Sequence, residues 1–95
     1  MTLGRVIGSV WATRKDEGLN GTKILIIQPV DLNYDVDEEA NPVIAVDSVG
    51  AGAGEIVLIA QGSSARQTKL THNKPIDAVV MAIVDKLDVF GEAAG

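Results

Sequence analysis

The stretch PVIAVDSVGAGAGEIVLIAQGSSAR, from Pro42 to Arg66, predicts two β-strands joined by a glycine-rich segment. The two apolar runs, VIAVD and EIVLIAQ, are short and rich in β-branched residues, which favours strands over helices. Between them lie Gly50, Gly52 and Gly54, which permit positive φ angles and close backbone approach. We call residues 48–55 the glycine loop.

The glycine loop does not match a nucleotide-binding motif. A phosphate-binding loop has Lys and then Ser or Thr after its last glycine, and it opens a helix. Here Glu55 follows Gly54, and its negative charge would repel a phosphate. A dinucleotide fingerprint, Gly-x-Gly-x-x-Gly, also opens a helix, whereas this loop reads Gly-x-Gly-x-Gly and precedes a predicted strand. We therefore interpret the glycines as conformational.

Length and composition indicate one small domain without cysteine chemistry. The chain has 95 residues and no cysteine, which excludes disulfides and cysteine-based metal or nucleophile sites. The start, MTLGRVIGSV, does not resemble a signal peptide because Arg5 interrupts a short apolar segment. No run approaches the roughly 18 apolar residues that span a bilayer. We expect a soluble cytoplasmic protein with no membrane partner.

Charge and aromatic content argue against a nucleic-acid surface. The formal net charge is −5, whereas a nucleic-acid surface needs clustered Lys and Arg. The aromatic residues Trp11, Tyr34 and Phe90 are too few for a base-stacking platform.

No set of residues predicts catalysis, a metal site or a cofactor site. His72 is the single histidine and has no partner at ligand spacing, and the serines Ser48, Ser63 and Ser64 have no evident base. We expect that the protein is not an enzyme.

The first half of the chain predicts two more strands. Arg5–Thr13 mixes small and β-forming residues and predicts strand one, and a turn is expected at Asn20-Gly21. Lys23–Val30 is apolar on both faces and predicts strand two, with Pro29 marking its end or a sheet edge.

A polar, acidic loop follows strand two. Asp31, Asn33 and Asp35 are spaced like the first ligands of a calcium-binding loop, but Val36 and Pro42 occupy the positions of its glycine and final glutamate. A solvated acidic loop is the better interpretation.

The last third of the chain completes a β-rich domain. Gly62–Gln67 fits a short helix with Ser63 or Ser64 as its N-cap. The composition of Ile76–Val89 permits a helix, but its Val-Val and Ile-Val pairs favour a fifth strand. We predict a mainly all-β fold: a small, closed or partly closed five-stranded barrel with one short helix over residues 1–89, followed by a tail over residues 90–95.

The predicted strands carry more apolar surface than an isolated barrel covers. Strands two, four and five are apolar at consecutive residues, so each places hydrophobic side chains on both faces of its sheet. No clear amphipathic helix is available to cover the outer face. We therefore expect an obligate homo-oligomer with strand faces at the subunit contacts.

Four segments together, GRVIGSVWATRK, LNGTKILIIQPVD, VIAVDSVGAGAGEIVLIAQGSSAR and PIDAVVMAIVD, resemble the EutN/CcmL family of bacterial microcompartment vertex proteins. The resemblance runs from about Leu3 to Asp85. It implies an OB-like barrel that forms homopentamers capping the five-fold corners of a polyhedral shell, whose facets are hexameric shell proteins. The alternative function is an OB-type binding module for single-stranded nucleic acid or oligosaccharide.

On this resemblance, the region around the five-fold axis is expected to be formed by small residues of the glycine loop: Ser48, Val49, Gly50, Ala51 and Gly52. Glu55 and Arg66 are candidates for a polar contact that fixes the register between subunits, and ordinary solvated charges are the alternative. Asp47 fits a turn residue whose side chain accepts hydrogen bonds from amides of the glycine loop.

Overall fold

A computed structural model describes residues 1–12, 17–19, 21–62 and 77–90. Their elements, in chain order, are β1 (Thr2–Val10), a one-turn 3₁₀ helix (Glu17–Leu19), β2 (Lys23–Pro29), β3 (Val43–Asp47), β4 (Ile56–Gln61) and β5 (Ala78–Ile83). In these ranges no helix has the length and apolar character needed to cross a membrane.

The five strands close into a barrel in the order β1-β2-β3-β5-β4. All neighbouring strands are antiparallel except β3 and β5, which are parallel. Parallel strands cannot be joined by a tight hairpin. The chain therefore leaves β3 through the glycine loop, forms β4, and returns as β5 between β3 and β4. The prediction of a mainly β, five-stranded barrel is confirmed, and the barrel is closed.

Small and aliphatic side chains from all five strands and from the glycine loop form the main core. Alternate residues of each strand point inward, and burial of each larger aliphatic side chain contributes about 1.5–3 kcal/mol to folding. The buried members are Val6, Leu25, Ile27, Ala45, Ala51, Val57, Ile59, Ala78 and Val80. Because Ala51 belongs to this cluster, the glycine loop closes one end of the barrel.

The outer face of the barrel is covered unevenly. On β4 and β5, the outward-facing Ala60 and Val79 are only 2% and 0% exposed, and Met81 packs against them. The expectation that strands four and five leave an uncovered outer face is therefore wrong at Ala60 and Val79, whereas Leu58 and Ala82, the next outward pair, are half-buried. On β1 and β3, by contrast, Ile7 and Ile44 are each 52% exposed. Consecutive apolar residues indicated that both faces of the sheet are covered. They did not indicate whether the same chain or a partner covers the outer face.

Two of the predicted strands have bounds that shift by more than one residue. Strand one begins at Thr2, because Thr2–Arg5 pair with β4, and it ends at Val10 rather than Thr13. Strand five spans Ala78–Ile83 and is shorter than predicted. The amide of Val84 still donates to the carbonyl of Ile56, but β4 begins at Ile56 and offers no further partner.

The turns agree with the sequence-based predictions where they are described. Strand two ends at Pro29. Of the turn predicted at Asn20-Gly21, Asn20 lies outside the described residues; Gly21 has φ +77°, and the Thr22 amide donates to the Leu19 carbonyl, as expected of a turn. The predicted helix at 62–67 lies outside the described residues beyond Gly62, as does His72.

The acidic loop is organised by its own backbone and one carboxylate. Oδ1 of Asp31 accepts hydrogen bonds from the amides of Asn33 (2.8 Å) and Asp35 (3.0 Å), and Val30 forms an isolated bridge with Val36. The calcium-like spacing thus coincides with a side-chain turn in which Asp31 binds backbone amides.

Candidate functional site

The end of the glycine loop is held by β1. The Gly54 amide donates to the Val6 carbonyl and the Val6 amide donates to the Glu55 carbonyl, each at 2.9 Å, which continues the pairing of β1 with β4. The guanidinium of Arg5 donates to the carbonyls of Gly54 (3.2 Å) and Tyr34 (3.4 Å). Arg5 thereby ties the glycine loop to the acidic loop.

The start of the glycine loop is fixed by Asp47. Its Oδ1 accepts hydrogen bonds from the amides of Val49 (3.0 Å) and Gly50 (3.1 Å), and the Ser48 hydroxyl donates to the Val80 carbonyl. Gly50 has φ +79°, a backbone conformation that side chains with a Cβ rarely adopt. The prediction that Asp47 binds amides of the loop is confirmed.

The middle of the glycine loop turns inward at Ala51 and is closed by Glu55. Ala51 is fully buried, and its carbonyl accepts a hydrogen bond from Nζ of Lys23 at 3.0 Å. The Gly52 amide donates to Oε1 of Glu55 at 2.6 Å, and the Glu55 amide donates to the Gly52 carbonyl at 3.2 Å. This reciprocal pair fixes the turn between residues 52 and 55.

The five residues predicted at the axis therefore differ in exposure. Ser48, Val49 and Gly50 are exposed, Gly52 is half-buried, and the side chain of Ala51 packs in the barrel core. Small size at position 51 serves packing within the chain. Position 66 lies outside the described residues, so the proposed pairing of Glu55 with Arg66 stays a prediction.

Two anchoring residues were not found from the sequence. Lys23 and Arg5 reach carbonyls of the glycine loop that are 28 and 49 residues away. Lys23 lies directly opposite Asp47 in the β2–β3 register, but that register becomes known only when the strands are aligned. No short motif around Lys23 or Arg5 signals either contact.

The surface of the glycine loop carries few groups suited to metal binding. Among the described residues, no three His, Cys, Asp or Glu side chains lie close enough together to hold a metal ion. Apart from Val49 and Glu55, the exposed part of the glycine loop consists of backbone and small side chains on a framework fixed at both ends. Such a surface is suited to close packing against another molecule.

Comparison with known proteins identifies relatives along nearly the whole chain. A family model described as "Ethanolamine utilisation protein EutN/carboxysome" matches residues 1–85. The chain is 44% identical over 88 residues to the bacterial microcompartment shell vertex protein GrpN of Rhodospirillum rubrum, covering 93% of this chain and 97% of GrpN. It is 45% identical over 91 residues to the shell vertex protein PduN of Salmonella typhimurium, covering 92% of this chain and 98% of PduN.

A solved structure has the same fold. The structure of GrpN, a pentameric microcompartment shell protein from Rhodospirillum rubrum, superposes with a TM-score of 0.84 at 44% identity. The superposition covers 95% of this chain and 100% of GrpN. The two chains thus share the barrel fold.

Proposed function

Because the chain belongs to the family of the ethanolamine utilisation protein EutN and the carboxysome protein CcmL, we propose that it is a structural shell protein of a bacterial microcompartment. It forms homopentamers that cap the five-fold vertices of the shell in the cytoplasm. The observation that carries this proposal is the match, along nearly the whole of both chains, to proteins named as shell vertex proteins.

The fold suits assembly through faces and loops. In the closed barrel each of the five described strands pairs with two neighbours, although β1 pairs with β4 only over Thr2–Arg5 and β3 pairs with β5 only at Val46 and Asp47. We expect subunits to meet mainly through sheet faces and loops, because most strand edges are already paired. A flat hexagonal layer cannot close into a polyhedron without corners of five-fold symmetry. A ring of five subunits fits such a corner.

We place the exposed part of the glycine loop at the five-fold axis. Ser48, Val49 and Gly50 lie at one end of the barrel on a fixed framework, and they are small enough for five copies to converge. Ala51 and Gly52 support this surface from below. Glu55 uses Oε1 within its own loop, which leaves Oε2 to accept a contact from a neighbouring subunit, with Arg66 as the proposed donor.

Hexameric facet proteins are the proposed second partner. Native mass spectrometry tests the ring first: the expected particle has five times the 9.9 kDa chain mass, about 50 kDa.

Co-expression with a hexameric shell protein then tests the vertex role. Electron microscopy is expected to show closed polyhedral particles with the chain, and open sheets or tubes without it. Equal closure in both samples would contradict the vertex role.

The position of the glycine loop has its own test. The chain contains no cysteine, so Val49→Cys introduces a single thiol. A short bismaleimide is expected to cross-link this variant into a ladder up to the pentamer. The control is Leu32→Cys, at an exposed position in the acidic loop, and it is expected to stay uncross-linked. Intact pentamers of Val49→Cys that give no cross-links would show that the loop lies away from the axis.

A further inference from the structure

Three isoleucines lie on neighbouring strands on the outside of the barrel. Ile26 of β2 lies opposite Gly8 of β1 on one side and opposite Ile44 of β3 on the other. Ile7 precedes Gly8 in β1. Ile7 and Ile44 are each 52% exposed, and Ile26 is half-buried. We call Ile7, Ile26 and Ile44 the isoleucine face.

A bulge in β1 enlarges this face. Val6 and Gly8 pair with the consecutive residues Ile27 and Ile26, so Ile7 is an extra residue in the strand. Bulges of this kind change the direction of side chains. Val6 points into the core, and regular alternation would send Gly8 inward as well. The shift instead puts Gly8 on the outer side, where Cδ1 of Ile26 lies 3.3 Å from the position of an added Cβ. The side chain of Ile26 therefore lies over Gly8.

We propose that the isoleucine face is the surface through which one subunit binds a second copy of this chain, which rests on the proposed pentameric function. A closed ring is built from a head-to-tail contact, so each subunit uses two different surfaces. The isoleucine face is one of these two.

The burial pattern favours this surface over the rest of the barrel wall. The outward side chains Ala60 and Val79 of β4 and β5 are already buried within the chain. The exposed larger aliphatic side chains of the described strands are Ile7, Val10 and Ile44, and two of these three belong to the isoleucine face. It lies on the central part of β1, β2 and β3, where a neighbouring barrel can approach side-on.

Chemistry distinguishes a second copy from a facet protein as the occupant. Permanent interfaces are more apolar than contacts that form between preassembled particles. In the proposed shell, the contact between subunits of one ring is permanent, whereas the ring meets facet proteins only during shell assembly. An aliphatic face without charged members fits the first kind of contact.

The polar residues beside the isoleucine face do not require a partner. Arg5 and Gln28 form the next cross-strand pair. Nε2 of Gln28 donates to the carbonyls of Asp37 (3.0 Å) and Ala40 (3.1 Å), and Arg5 is bound to two loop carbonyls. These side chains can border the contact without losing hydrogen bonds, as the polar rim of an interface does.

Thiol labelling tests the proposal without disturbing the ring. Ile44→Cys and the control Leu32→Cys each introduce a single thiol at a half-exposed aliphatic position, 52% and 58% exposed in the single chain. In the native ring, a maleimide is expected to label Ile44→Cys at least about tenfold more slowly than Leu32→Cys, because the centre of an interface excludes water. In denaturant the two rates are expected to be equal.

A charge at the same position gives the second measurement. Ile44→Glu is expected to lower the mass measured at micromolar concentration from pentamer to monomer, since an unpaired carboxylate would be buried in every contact of the ring. Leu32→Glu is expected to remain pentameric. Circular dichroism of both variants checks that the barrel is still folded.

The outcomes separate this proposal from the proposed function. A pentameric wild type in which both thiols react at the same rate overturns the isoleucine face and leaves the vertex function in place. A wild-type dimer with a protected thiol in Ile44→Cys supports the face and overturns the pentamer. A monomeric wild type overturns both.

Discussion

Replacing Gly4 by alanine is expected to destabilise the barrel, whereas the same replacement at Gly8 is not. Both glycines lie in β1, and neither has a positive φ angle. A Cβ added at Gly4 would overlap Cγ2 of Ile27, a core side chain with 0% exposure, and would lie 3.1 Å from the carbonyl oxygen of Gln28. A Cβ added at Gly8 would have Cδ1 of Ile26, the end of a flexible side chain, as its nearest neighbour at 3.3 Å, and no backbone atom among its three nearest.

The difference between the two variants gives the size of the effect. Forcing an extra methyl group into a packed core costs about 1–3 kcal/mol. Replacing glycine by alanine otherwise stabilises by about 0.4–1 kcal/mol through the unfolded chain, and this gain is common to both positions. Gly4→Ala is therefore expected to be about 1–3 kcal/mol less stable than Gly8→Ala. For a domain of this size, each kcal/mol lowers the Tm by about 4–8 °C.

Thermal unfolding followed by circular dichroism measures this difference. All samples need the same protein concentration, because the Tm of an oligomer depends on it. Adding Ile27→Leu to Gly4→Ala removes the methyl group on the branched Cβ, and it is expected to restore part of the lost Tm, since residues in contact couple in double-mutant cycles. A Gly4→Ala variant that melts at or above Gly8→Ala would refute the packing argument.

Two predictions concern the glycine loop. Asp47→Ala removes the acceptor for the amides of Val49 and Gly50 and is expected to lower the free energy of unfolding by about 1–2 kcal/mol. Asp47→Asn keeps a side-chain oxygen, and its loss in the free energy of unfolding is expected to be less than half that of Asp47→Ala. Equal denaturant midpoints for the two variants would contradict the role of Asp47 as acceptor for these amides. Glu55→Ala is expected to cost about 1 kcal/mol by the loss of the Gly52 hydrogen bond, and Glu55→Gln clearly less. A Gln variant as unstable as the Ala variant, by the same measurement, would show that the bond does not stabilise the loop.

The number of strands followed from local sequence, but their ends did not. Short β-branched runs identify strands because their side chains fit a pleated sheet. The end of a strand, however, depends on its partner. β5 stops at Ile83 because β4 begins at Ile56, and β1 starts at Thr2 because Thr2–Arg5 pair with β4. These limits are set by residues more than 25 positions away in the chain.

The same distinction separates the site residues that were predicted from those that were missed. Asp47 was found because a side chain that binds amides two and three residues ahead is a local turn feature. The burial of Ala51 and the contact of Lys23 with its carbonyl arise only when the barrel closes. A glycine loop read alone suggests exposure along its whole length, and the core cluster shows that its centre points inward.

The size of the isoleucine face also limits what it does in the ring. Covering a half-exposed aliphatic side chain contributes roughly 0.75–1.5 kcal/mol, so three of them give about 2–4.5 kcal/mol for each contact. Association costs an estimated 4–15 kcal/mol in lost freedom. The isoleucines alone therefore do not hold a ring together. Other residues of each subunit have to contribute a comparable free energy of association. Ser48–Gly50, exposed on a fixed loop, are the residues that the proposed axis would bring together.

Because the isoleucines supply only part of the association free energy, Ile44→Ala is expected to weaken the pentamer without abolishing it. Ile44→Glu adds a buried charge to each contact and is expected to abolish the pentamer.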